Sequence, residues 1–195
     1  VAKGLDFPHV TVVGVLNADS SLHSSDFRSY ERTFSLLTQV VGRSGRGDSP
    51  GVAVIQTAER DSNLIKLAAQ QDYVSFYESE ILTRRLMIYP PYCDIAAACF
   101  SGEDRRTTED AAKEFLNLLK FAVTDDYKDI KIITLGPTAA AVPKVNSQYR
   151  YKLIIKYKNS VRSRKMLADV YSKFLASGFS KRISAYINVN PDSII

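Results

Sequence analysis

The residues with the most evident chemistry lie at 39–46, which read Gln-Val-Val-Gly-Arg-Ser-Gly-Arg. On a helix, Gln39, Gly42, Arg43 and Arg46 fall at i, i+3, i+4 and i+7 and share one face. Two guanidinium groups on one face can grip a phosphate, because each offers a planar fork of donors. Gly42 and Gly45 leave room for a ligand or a neighbouring backbone to approach. The same string also describes an ordinary helix end, where arginines favour the dipole and glycine stops the helix. Upstream, residues 2–8 read Ala-Lys-Gly-Leu-Asp-Phe-Pro. Taken alone, that is a loop with a turn glycine.

A second concentration of chemistry lies at 148–158, where the residues alternate strictly. Tyr149, Tyr151, Leu153, Ile155 and Tyr157 fall on one face of a strand. Arg150, Lys152, Lys156 and Lys158 fall on the other, with Ile154 among them. One face packs under helices and the other meets water or a ligand. A solvated sheet face explains this pattern as well as binding does. Charge density argues for binding: residues 142–182 hold 11 Lys/Arg, Lys144 among them, and one acid, Asp169. A one-sided basic field is the footprint of phosphate-backbone binding.

These segments need elements to position them. The chain has 195 residues and a net charge of +5. Residues 1–89 carry 9 basic and 10 acidic side chains, and residues 90–195 carry 17 and 11. Pro90-Pro91 separates the halves, and consecutive prolines end a helix. The domain boundary is placed there. In the first half, the β-branched run at 10–16 predicts a strand buried on both faces, as in a parallel sheet. A helix over 27–44 with the stripe Tyr30, Phe34, Leu37 and Val41 follows, then a strand at 51–57. A long helix covers 62–87, with a break near Asp72. In the second half, strands at 93–101, 131–135, 148–158 and 182–189 alternate with helices starting near Thr107 or Thr108 and at Val161. The order is β-α-β-β-α-β, the split-βαβ pattern, with two helices on one face of an antiparallel sheet. The fold class is therefore α/β followed by α+β.

Two cysteines, Cys93 and Cys99, exclude a disulfide framework and a four-cysteine zinc site. They fit a reducing, cytoplasmic setting. No apolar run approaches the ~18 residues of a membrane span. The chain opens on Val1, and two strands are too few to cover a parallel sheet, so the expectation is the C-terminal part of a larger protein.

The paired strings resemble helicase motifs. Residues 2–8 resemble motif V of superfamily 2 helicases, and residues 39–46 resemble motif VI. With residues 17–32 (NADSSLHSSDFRSYER), 84–92 (RRLMIYPPY), Leu135-Gly136-Pro137 and Tyr149-Arg150-Tyr151, the whole chain resembles the bacterial PriA (primosomal protein N′) family of replication-restart helicases. The resemblance implies that 1–89 closes a truncated second RecA-like lobe and 90–195 is a basic DNA-binding domain. It implies that Arg43 and Arg46 face ATP, with Arg46 preferred as the arginine finger. Gln39 and Gly42 would help form the nucleotide cleft. Gly4 and Asp6 would couple nucleotide state to DNA grip, and Lys3 would approach DNA. Lys144, Arg150, Lys152, Lys156 and Lys158 would bind forked and single-stranded DNA. Implied partners are the single-stranded DNA-binding protein and primosome proteins.

The sequence has no Gly-x-x-x-x-Gly-Lys-Ser/Thr loop and no Asp-Glu-x-His segment. ATP and Mg²⁺ would therefore serve a longer parent, and this chain alone is expected to turn over no ATP. The family's zinc insert is expected upstream, with no metal site here. Two other readings stay open: a non-catalytic nucleic-acid or protein docking module, and another superfamily 2 repair helicase.

Overall fold

The computed structural model describes residues 11–22, 24, 26–42 and 51–194. It divides into two compact units, Val1–Thr83 and Arg84–Ile195. The sequence places the boundary at Pro90-Pro91, whereas the division between these units falls within a helix.

In the first unit, β1 (Val12–Val15) and β2 (Val52–Ile55) pair in parallel, with Val12 opposite Val52 and Val15 opposite Ile55. Three helices follow the order of the chain: α1 (Ser29–Val41), α2 (Asn63–Gln70) and α3 (Tyr73–Leu86). Their shared core holds Phe34, Leu37, Leu64, Ile65 and Phe76, with Val15 and Ile55 packed against it. The Phe34 and Phe76 rings stack at 4.1 Å between centroids. The expected break near Asp72 is present. Gln71 adopts φ 56, and the Asp72 carboxylate accepts from the Ser75 amide and hydroxyl, which starts α3.

Two expectations for this unit are corrected. The strands are not buried on both faces: Val12 is 64% exposed and Val52 56%. Among the described residues, the core meets only the face that carries Val15 and Ile55, so the β-branched run alternates in burial instead of being enclosed. Tyr30 does not join the α1 stripe and is exposed, while Ser29 and Thr33 take the buried positions.

The second unit contains β3 (Asp94–Gly102), α4 (Arg105–Thr124), β4 (Ile132–Val145), β5 (Gln148–Tyr157), α5 (Val161–Ala176) and β6 (Ser184–Val189). The strands form one antiparallel sheet in the order β4-β5-β3-β6. This is the split-βαβ topology that the sequence predicts. Residues of α4 and α5 fill one face of the sheet with Phe115, Leu119, Met166, Val170 and Phe174. Phe100, Phe115 and Phe174 meet edge to face, with centroids 5.5–5.7 Å apart.

Local chemistry sets the ends of these elements. Asp104, not Thr107 or Thr108, caps α4; its carboxylate accepts from the Thr107 amide at 2.7 Å. Ser160 and Ser163 form a capping box at α5. β4 does not stop at Leu135. It bulges at the cis Gly136-Pro137 bond and continues to Val145, since an edge strand with a bulge tolerates a proline, which has no amide to donate. Asn146 and Ser147 both have positive φ (48 and 64) and close a two-residue β4–β5 hairpin. No helix among the described residues is long and apolar enough to cross a membrane.

Candidate nucleic-acid interface

The alternation of β5 divides its side chains as the sequence predicts. Tyr151, Leu153, Ile155 and Tyr157 enter the core beneath the helices. Tyr151 is fixed there: its hydroxyl donates to Glu109 at 3.0 Å and accepts from Arg105 Nε at 3.3 Å. Glu109 in turn pairs with Lys113 at 2.7 Å. These partners hold the Glu109 carboxyl below its usual range, the Lys113 hydrogen bond first and the Tyr151 hydroxyl second.

The opposite, helix-free face carries Arg150, Lys152, Ile154 and Lys156. Cys99 of β3 lies opposite both Lys152 and Tyr186 in register, and Ser101 lies opposite Arg150. Arg150, Lys152, Cys99, Tyr186 and Asn188 line a cavity of about 130 Å³. Arg150 is half-exposed and Tyr186 is exposed. A hydrogen bond with the Cys99 thiol raises the Tyr186 pKa above its ordinary value, Arg150 acting weakly in the other direction. Lys144 sits on the exposed arm of the hairpin, with its ammonium 4.7 Å from the centroid of the Tyr149 ring.

This face is less open than the sequence suggests. Lys156 is buried, and its ammonium donates to the Met87 carbonyl at 2.8 Å. Burial lowers its pKa from the ordinary lysine value. It therefore does not present its charge to solvent. Lys152 donates to the Ile194 carbonyl at 2.6 Å. Lys158 is exposed, on the rim of an apolar groove of about 650 Å³ lined by Ile88, Tyr92, Ile132 and Ile133.

The expected single basic field also divides in two. Residues of α5 pack on the helical face of the sheet, opposite Arg150 and Lys152. On α5, Arg162 holds Asp129 at 2.7 Å and Lys173 approaches Asp126 at 3.7 Å. Periodicity within one strand could not show that the next basic helix turns to the other side of the sheet. Tyr186 and Asn188 also belong to this face, although their sequence context does not single them out; the alternation of β6 is the signal that could have found them.

Of the residues resembling helicase motifs, Gln39 and Gly42 are described. Both lie at the end of α1, where Gln39 lines a pocket of about 460 Å³ with Thr38, Gln71 and Tyr73 and Gly42 is exposed. A Cβ at Gly42 would stand 3.3 Å from the Thr38 carbonyl oxygen, so a larger residue fits only if the neighbour gives way. Lys3, Gly4, Asp6, Arg43 and Arg46 lie outside the described residues. No group of three or more His, Cys, Asp or Glu among the described residues is placed to hold a metal ion.

Residues 85–192 match the family model of the primosomal protein N C-terminal domain. The replication restart protein PriA of Bacillus subtilis is 39% identical over 191 residues, 98% of this chain and 23% of that protein. Its counterpart in Chlamydia muridarum is 34% identical over 98% of this chain and 24% of that protein. The one in Synechocystis is 35% identical over 83% of this chain and 19% of that protein. The chain thus spans about a quarter of the length of the curated relatives it matches.

Proposed function

We infer, from the premise that the chain belongs to the PriA family of replication restart proteins, that it serves an ATP-dependent DNA helicase acting at stalled or branched replication forks. In this reading, unit Arg84–Ile195 binds the sugar-phosphate backbone of forked and single-stranded DNA. The observation that carries it is the helix-free sheet face, where Arg150 and Lys152 share one strand and exposed Tyr186 stands beside them. Cations track phosphates, and an exposed ring gives an unpaired base a surface to stack on. Lys144, paired with Tyr149 on the hairpin arm, is an exposed cation on the other side of the sheet from Arg150, and Lys158 supplies a further exposed cation at the strand's other end. Phosphate contacts and ring stacking carry no sequence information, so binding is expected to follow DNA structure and not sequence.

The parallel β1–β2 pair with α1 supports reading Val1–Thr83 as part of the second RecA-like lobe. Gln39 and Gly42 at the end of α1 are compatible with one edge of an ATP cleft. Arg43 and Arg46 would supply positive charge toward the nucleotide's phosphates, where ATP with Mg²⁺ supplies the energy of translocation. Lys3, Gly4 and Asp6 would connect that cleft to DNA. The single-stranded DNA-binding protein and primosome proteins are the partners this reading implies.

The test is fluorescence anisotropy with a labelled three-way fork and a matched linear duplex across a salt series. The intact chain is expected to prefer the fork and to weaken steeply with salt, and Arg150→Glu/Lys152→Glu to abolish the preference. Equal, salt-independent affinities in the folded chain would overturn the reading.

A further inference from the structure

The helix-free face of the sheet is partly covered. Ile95, Ala97 and Ile154 point away from the helices, yet all three are buried. One contributor follows β6. Asn190 turns the chain with φ 49, its amide donates to the Ile95 carbonyl at 2.7 Å, and its side chain accepts from the Ile95 amide at 3.1 Å. Residues 191–194 then run from this anchor on β3 to β5, where the Ile194 carbonyl takes the Lys152 hydrogen bond. Pro191 and Ile194 are buried, and Pro191, Ser193 and Ile194 form one wall of the cavity that Cys99, Arg150 and Lys152 also line.

We propose that residues 191–194 are a displaceable strap that masks Lys152, and that a nucleic-acid phosphate takes the place of the Ile194 carbonyl on the lysine ammonium. The proposal rests on the DNA-binding reading above. A phosphate oxygen is a charged acceptor and forms a stronger hydrogen bond to an ammonium than a neutral carbonyl does. The strap is also short and lies outside the paired strands, so its release leaves the β-ladders intact. Arg150 and Lys152 are both half-buried, but it is Lys152 that is bonded to the strap, so Arg150 offers a phosphate its first contact. The strap thereby sets a threshold: weak or single-contact anions leave it closed, and a polyanion that engages Arg150 opens it.

Cys99, half-buried, lines the same cavity and reports the strap without reference to DNA. In a Cys93→Ser background, the labelling rate of Cys99 by iodoacetamide is measured for the intact chain, for a chain ending at Asn190, and for Lys152→Met. Losing the charged Lys152 hydrogen bond predicts a rise of about tenfold in Lys152→Met, and removing the strap outright predicts a rise at least as large in the chain ending at Asn190. In parallel, the chain ending at Asn190 is expected to bind the labelled fork several-fold more tightly than the intact chain at low salt. Unchanged labelling in both variants, with circular dichroism unchanged, overturns the strap. Faster labelling without tighter fork binding shows a strap that masks nothing DNA uses, and overturns the exchange. Absence of fork binding by every variant overturns the DNA-binding reading, while the labelling rates still decide whether the strap exists.

Discussion

Lys156 holds its ammonium 3.5 Å from the centroid of the Tyr89 ring while donating to the Met87 carbonyl. A residue that looks in the sequence like one more surface cation is instead an internal tie. It fastens the segment containing the cis Pro90-Pro91 bond to the helix-free face of the sheet. The ring's negative face and the carbonyl oxygen together replace part of the water that the ammonium loses.

Tyr89→Leu keeps apolar bulk but removes the ring, and is expected to cost about 1–2 kcal/mol in urea unfolding, the scale of a desolvated cation–π contact. The pH dependence has a defined sign. Burial lowers the folded-state pKa of Lys156 below the ordinary 10.5, so the unfolded chain binds more protons in the alkaline range just below 10.5. The stability of the native chain, taken relative to Lys156→Met, should therefore rise with pH through that range. A flat difference would show that Lys156 is not desolvated.

Two tyrosines of one strand make a controlled pair. Tyr157 is buried and its hydroxyl has no hydrogen-bond partner among the described residues, whereas Tyr151 is bonded to Glu109 and Arg105. Removing an unsatisfied hydroxyl relieves a desolvation cost, so Tyr157→Phe should be neutral or stabilising by up to about 1 kcal/mol. Tyr151→Phe should cost about 1 kcal/mol, because it leaves the two partners without the hydroxyl. Chemical denaturation of both variants decides the matter, and equal losses would contradict the assigned bonding.

Acid sensitivity should concentrate at the start of α4. Thr107 side-chain and backbone hydrogen bonds hold Asp104 below the ordinary carboxyl value of 3.8, and Lys113 and Tyr151 do the same for Glu109. A depressed folded-state pKa contributes stability above the unfolded value, and that contribution is lost as pH falls through the folded one. Asp104→Asn keeps a capping oxygen at every pH. Its stability should fall less than that of the native chain as the solution is acidified from above the ordinary carboxyl value to below it, as followed by thermal melts. An equal fall in both would show that the Asp104 charge adds nothing to the cap.

The regular part of this fold was legible because period-2 alternation in 148–157 separates the two faces of the sheet, and the helical stripes through Phe115 and Phe174 both pack on one of them. What stayed hidden depends on contacts distant in sequence. Asp104 precedes the threonines that look like caps, and its role depends on the turn that brings the Thr107 amide to it. Gly136-Pro137 reads as a strand end, yet at an edge it is only a bulge. Lys152 and Lys156 have the same type and face, but their environments are set by Ile194 and by Met87 with Tyr89, remote in the chain. The β-branched run at Val12 reads as enclosed because such runs usually fill buried parallel sheets. Its burial depends on neighbours that strand composition cannot supply.

The same non-local geometry separates two basic groups that composition merges. Arg150 lies on the helix-free face, and Arg162 lies on α5 across the sheet, bound to Asp129 and 5.0 Å from the centroid of the Tyr127 ring. If DNA follows the helix-free face, Arg150→Glu should weaken fork binding about tenfold and reduce the salt slope by about one for each phosphate it no longer engages. Arg162→Glu changes the net charge by the same amount, so it controls for long-range attraction. It should lower stability by breaking the Asp129 pair while leaving the salt slope near that of the native chain. Anisotropy titrations from low to physiological salt distinguish the two variants. A larger slope change for Arg162→Glu than for Arg150→Glu would move the interface to the helical side, where Arg162 must leave Asp129 before it can reach a phosphate.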